Sequence, residues 1–272
     1  MVDTVSPSVA DVLLAENDPP AVTVRNHHGS GPVLFTCDHA CNRIPASLGD
    51  LGLTEEQLLS HIAWDPGALP VAQHLAARFD SPLIYGGYSR LVVDLNRPPD
   101  SPDSMPVSSA GIPIPGNLGL SDTKRWARLQ ALFRPYHAAI ESVLDARAQA
   151  GLATVLVAIH SFTPHYPGET RPWQVGVIHR HDFGFGAALV DALRAENDIL
   201  VGDNRPFQIQ DDGDATIPVH GERRSLPNAL IELRQDGLAN SSGREIWASR
   251  LAAALERALG PRLGESDRMG RI

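Results

Sequence analysis

The sequence predicts an α/β protein: a three-layer α/β/α fold on a mixed, mostly parallel sheet. Three observations predict it. Short β-branched runs alternate with stretches of helical periodicity along the chain, the order that places helices on both faces of one sheet. The run TVLVAIHS (154–161) opens with apolar residues that show no alternation, the mark of a strand covered on both sides. No internal repeat, low-complexity linker or shift of composition divides the 272 residues, a length that suits one α/β domain.

The elements follow in order. Residues 1–20 are weakly patterned and end in Pro19-Pro20, so they read as an N-terminal arm before a single domain over 21–272. PVLFTC (32–37) is a buried strand. Thr54 with Gln57 three residues on forms a capping-box signature that starts a helix. VAQHLAARF (71–79) is helical, and PLIYGG (82–87) and RLVVDL (90–95) read as strands. Residues 97–117 form a Pro-, Ser- and Gly-rich loop of about twenty residues, a length usually tied to function or disorder. It would serve as a lid or a dimer contact. Trp126, Leu129, Phe133, Tyr136, Ile140 and Val143 recur at helical steps, with Pro135 bending the helix and Gly151 stopping it. QVGVIH (174–179), ILVGD (199–203) and ALIELR (229–234) are further strands. A last helix takes Ser242 as cap and Ile246, Trp247, Leu251, Leu255 and Leu259 on one face.

Net charge is −9 with no basic block, which argues against nucleic acid or an anionic membrane as partner. No apolar run reaches the ~18–20 residues of a membrane span, and the start does not read as a signal peptide. With only Cys37 and Cys41, a disulfide framework is excluded, and a reducing cytoplasm is the simplest location. Oligomeric state is not legible.

Reactive residues gather where strands end, the place where open α/β sheets bind ligands. Asp38-His39, Asn96-Arg97, His160-Ser161 and Glu232 all lie at or near such ends. No phosphate-binding glycine loop and no G-x-S-x-G elbow is present. A cysteine nucleophile at Cys37 or Cys41, with His39 adjacent, is the weaker reading by the criteria for a paired nucleophile and base. His39 and His160 with one carboxylate suit a zinc site with an open position. Glu232 would then act as general base, Arg97 would pair with a substrate carboxylate, and Asn96 would donate nearby.

CDHACNRIP (37–45), HIAWDPGA (61–68), SRLVVDLNRPP (89–99), AIHSFTP (158–164), VGVIHRHD (175–182), VGDNRPF (201–207) and HGERRSLPNALIELRQDGL (220–238) occur in one order. Together they resemble the N-formylglutamate amidohydrolase family, which is similar in fold to zinc carboxypeptidases and to the aspartoacylase and succinylglutamate desuccinylase group. The resemblance implies a zinc-carboxypeptidase-like fold and zinc-dependent cleavage of the amide of a small N-acyl amino acid, N-formyl-L-glutamate foremost, in amino-acid metabolism such as histidine degradation. It implies His39 and His160 as metal ligands. Asn42 stands where the fold relatives place an acidic ligand, which leaves Asp65, Asp38 or Asn42 for the third; Asp65 is the first choice, against the alternative that it caps the turn at Pro66. Arg97 and Asn96 match the Asn-Arg pair, with Arg90 or Arg234 assisting on substrate and Asp94 orienting Arg97. Glu232 is the base, and Asn204 and His220 line the pocket. Alternatives on the same scaffold are a different N-acyl amino acid amidase, a carboxypeptidase, or a binding protein without turnover.

Overall fold

A seven-stranded sheet organises the chain, and the computed structural model describes residues 13–166 and 168–269. The elements run β1 (Val22–Arg25), β2 (Val33–Cys37), α1 (Glu55–Leu59), α2 (Ala68–Arg78), β3 (Leu83–Gly86), a small hairpin β4 (Ser108–Ser109) and β5 (Ile112–Pro113), then α3 (Asp122–Arg128) and α4 (Arg134–Gln149). They continue through β6 (Val155–Phe162), the short pair β7 (His165–Tyr166) and β8 (Glu169–Thr170), β9 (Val175–Ile178), α5 (Phe185–Arg194), β10 (Val201–Asp203), β11 (Asn228–Arg234) and α6 (Ser241–Met269).

The sheet order is β1-β3-β2-β6-β11-β9-β10. The β3–β2, β2–β6, β6–β11 and β9–β10 pairs are parallel; β1–β3 and β11–β9 are antiparallel. Both faces are apolar, which explains the unbroken hydrophobic runs. Val33, Phe35, Val157 and Ile159 turn to the layer of α2, α5 and α6. Leu34, Leu156, Ala158 and Leu230 turn to the opposite layer, where α4 brings Tyr136, Ile140 and Val143.

That topology creates the site. The chain leaves β2, crosses through α2 on one face and returns as β3. It then crosses through α4 on the other face to β6, on the far side of β2. β2 and β6 are adjacent, and the connections that leave them lead to opposite sides of the pair, to β3 and to β9. A crevice opens at their carboxyl ends, the topological switch point.

The structure departs from the sequence reading at three elements. RLVVDL is no strand. Leu91–Leu95 are buried but run in turns, with the Ser89 hydroxyl accepting from the Leu91 amide at 3.1 Å and donating to the Ala63 carbonyl at 2.7 Å. A side chain that satisfies a backbone amide competes with a ladder, so the apolar run marks burial and not extension. In α6 the cap is Asn240, whose Oδ1 accepts from the Gly243 amide at 2.8 Å, because the helix begins at Ser241, one residue before the expected cap. The long amphipathic helix is continuous from α3 to α4, but residues 129–133 are π-helical. This wider turn precedes Pro135, which has no amide hydrogen for the helical ladder.

The 97–117 segment contains the β4–β5 hairpin and buries Ser104, Met105, Ile114 and Asn117. Of the expected arm, residues 1–12 lie outside the described residues; Leu13 is buried in the α4-side core. Among the described residues no helix is long and apolar enough to cross a membrane.

Candidate active site

β2 delivers Asp38 and His39 to the crevice, the segment before α2 delivers Asp65, and β6 carries His160. His39 Nδ1, His160 Nδ1 and one Asp65 oxygen converge. Asp65 Oδ2 lies 2.9 Å from His160 Nδ1 and 3.4 Å from His39 Nδ1. All three residues are buried, and their donor atoms lie within 4.8 Å of one another. Asp65 is not a helix cap. α2 starts after Gly67 with no side-chain cap, and Asp65 Oδ2 instead accepts from the Ser161 amide at 3.3 Å.

The outer nitrogens of both rings donate to further carboxylates. His39 Nε2 meets Asp94 Oδ1 at 2.7 Å, and His160 Nε2 meets Asp38 Oδ2 at 2.8 Å. Asp38 accepts in turn from the Tyr136 hydroxyl and from Thr216 Oγ1. Asp94 accepts from Arg90, 2.8 Å from Nη2. Carboxylates behind imidazoles fix the ring orientation and leave the inner lone pairs for a cation. The donor set fits zinc: two imidazoles and one carboxylate leave a fourth position open.

Electrostatics agree with the geometry. Burial opposes charge on Asp38, yet the hydrogen bond and charge of His160 hold its carboxyl down at about 2. Asp65 is held below the usual carboxylate range against the same burial by His39 and His160. Burial lowers both histidines, and their carboxylate partners outweigh it, so each is net raised. The carboxylates of Asp38, Asp65 and Asp94 therefore form one ion-paired cluster with the two rings and Arg90.

Glu232 behaves differently. It pairs in register with His160 across β6–β11, so the two side chains share a face. Burial, with Asp65, lifts its carboxyl to about 7 against the pull of His160 and Arg90. Its Oε2 is buried without a hydrogen-bond partner. Cys37 lies in the core, and burial pushes its thiol well up, so it is no nucleophile.

A cavity of about 800 Å³ opens over this cluster. Its wall includes Arg90, Asn96, Arg97, His61, Gln235 and the β4 edge of the long segment. Arg97 is engaged with Asp214 at 2.8 Å and the Gly213 carbonyl at 2.6 Å. Asn96 donates to Asp214 and accepts from the Thr216 amide at 3.0 Å. Asp94 serves His39 and Arg90, while Arg97 is oriented by Asp214.

Three sequence candidates lie elsewhere. Arg234 pairs with Asp236 at 2.9 Å and is not on the wall. Asn204 Oδ1 accepts from the His179 amide at 2.9 Å in a turn beside β10. His220 is fully buried against His137 at 2.7 Å. Asn42 is remote from the ligand group as well, donating to the Leu58 carbonyl at 3.0 Å. Asp214, Arg171 and Arg205 were missed. They come from loops with no periodicity, and only the fold brings them to the crevice.

The N-formylglutamate amidohydrolase family matches residues 31–239. The chain belongs to that family. A relative from Pseudomonas putida described as N-formylglutamate deformylase is 32% identical over 186 residues, 62% of this chain and 65% of the relative. The match thus spans less than two thirds of that relative's length. The crystal structure of a gene product from Agrobacterium tumefaciens is 38% identical, covers 92% of this chain and 98% of its own, and superposes with a TM-score of 0.88. N-formylglutamate amidohydrolase from Ralstonia eutropha shares the fold at 19% identity and a TM-score of 0.62, covering 90% of this chain and all of its own.

Proposed function

We propose that this family member hydrolyses the amide of an N-acyl amino acid, N-formyl-L-glutamate foremost, to formate and L-glutamate. The carrying observation is the buried triad of His39, Asp65 and His160 beside an unpartnered Glu232 oxygen. His39 Nδ1, His160 Nδ1 and Asp65 Oδ2 would hold zinc, which supplies Lewis-acid polarisation and acidifies water when bound. The family match and the deformylase relative support the substrate class.

The chain's own residues do the rest. Glu232 Oε2 takes a proton from the water that attacks the formyl carbon. The carbon–nitrogen bond then breaks, and the same oxygen returns the proton to the leaving nitrogen, which departs as the amine of the amino acid. A carboxyl poised at about 7 suits both transfers. Asp94 and Asp38 keep the two rings in place. The arginine-bearing wall suits an anionic substrate. A binding protein would have no use for a buried carboxyl with an orphaned oxygen, since that arrangement costs stability.

The test is release of the free amino acid from a panel of N-acyl amino acids, with formate measured for the formyl members, by protein purified without chelator and with zinc quantified per chain. Release from N-formyl-L-glutamate with about one zinc per chain supports the reading. Another preferred acyl group moves it to a different amidase on this scaffold. No turnover with added zinc rejects it.

A further inference from the structure

Each arginine on the cavity wall has a carboxylate partner except one. Arg90 is held by Asp94 and Asp65, Arg97 by Asp214, and Arg171 by Glu169. Arg205 lines the same cavity and, among the described residues, has no ion pair and no side-chain hydrogen bond. The nearest carboxylates along the chain, Asp203 and Asp211, pair with His179 at 3.0 Å and Arg180 at 2.6 Å.

The sheet is shaped to receive this arginine. Gly176 of β9 is the register partner of Glu232, and a Cβ at Gly176 would stand 2.0 Å from the Arg205 carbonyl oxygen. A Cβ at Gly202 would stand 2.8 Å from Arg205 Cβ. Register partners project to the same face. The Arg205 main chain therefore fills the space that Gly176 leaves open beside Glu232. Two residues on, the Phe207 ring lies 5.0 Å from the Arg171 guanidinium, which also lies 4.5 Å from the Tyr166 ring. The segment is pinned from both sides, while the Arg205 side chain stays exposed at the cavity mouth.

We infer that Arg205 is the specificity-determining residue that takes the side-chain carboxylate of an acidic N-acyl amino acid. The inference rests on the amidase reading above. With the scissile amide beside Glu232 and His160, the α-carboxylate is one carbon from the amide nitrogen and stays deep. The side-chain carboxylate reaches outward to the mouth. There the unpaired guanidinium offers a planar, two-pronged donor, and the deeper arginines are already neutralised by their own carboxylates.

The test uses N-formyl-L-glutamate and N-formyl-L-glutamine, which differ only at the side-chain terminus. Dissociation constants are measured by calorimetry in the Glu232→Gln background, where both ligands persist, with and without Arg205→Ala or Arg205→Lys. KM and kcat are measured in the otherwise native chain. The Glu232→Gln protein should prefer the glutamate ligand. Arg205→Ala should reduce that preference about 10- to 100-fold, the loss of one charge-assisted contact, mainly through KM, with partial recovery in Arg205→Lys. A parent with no preference, or a preference unchanged within about threefold in a variant that unfolds at the parent's temperature, overturns the inference. If Arg205→Ala does not fold, the Arg205→Lys ratio decides by the same criterion. A native chain that hydrolyses neither ligand nor any other N-acyl amino acid with added zinc rejects the amidase reading instead, and the calorimetric ratio still decides Arg205.

Discussion

Glu232 and His160 are register partners on adjacent parallel strands, so one residue pair links the carboxyl proposed as base to the proposed metal centre. Glu232→Gln keeps volume and removes the base. The expected outcome is loss of about 10²- to 10⁴-fold in kcat with zinc content unchanged. A near-native rate would remove Glu232 from the chemistry.

The same carboxyl sets a pH dependence of stability in chelated protein. Its folded value of about 7 lies above its ordinary value of 4.5. The folded state thus holds a proton that the unfolded chain releases. The stability from that proton is present below about 4.5 and lost as pH rises through about 7. Relative to Glu232→Gln, the native chain should lose up to about 3 kcal/mol across that window. Urea midpoints at pH 5 and pH 8 check it. A native chain that loses no stability relative to Glu232→Gln between pH 5 and pH 8 would contradict the burial argument.

Metal retention separates ligands from their supports. His160→Ala and Asp65→Ala should abolish zinc binding in equilibrium dialysis. Asp38→Asn, which weakens the support of the outer nitrogen of His160 and removes no ligand atom, should weaken it about 10- to 100-fold. Full occupancy in His160→Ala would show that the ion sits elsewhere.

Cys37 is fully buried with its thiol pushed up. Cys37→Ala should therefore retain turnover within a few-fold, at a stability cost of about 1 kcal/mol. Inactivation by more than about 10²-fold in a folded variant would reopen nucleophilic chemistry.

The layers and the gathering point were legible because they follow from periodicity. TVLVAIHS reads as doubly covered, and His39, His160 and Glu232 stand at the ends or on the inner faces of such runs. What escaped the sequence depends on contacts between distant segments. Asp94 backs His39, and Asp214, more than a hundred residues from Arg97, is what orients Arg97. RLVVDL carried a strand's composition, but a serine hydroxyl closed it into a turn. Arg205 sits in a stretch with no period at all, and its relation to Glu232 exists only through Gly176.

The most direct measurement is anomalous diffraction at the zinc edge from crystals of chelator-free protein. One strong peak is expected, bounded by His39 Nδ1, His160 Nδ1 and Asp65 Oδ2, with Glu232 facing its open side. Zinc bound at another site, or no peak among these three atoms after zinc soaking, would contradict it.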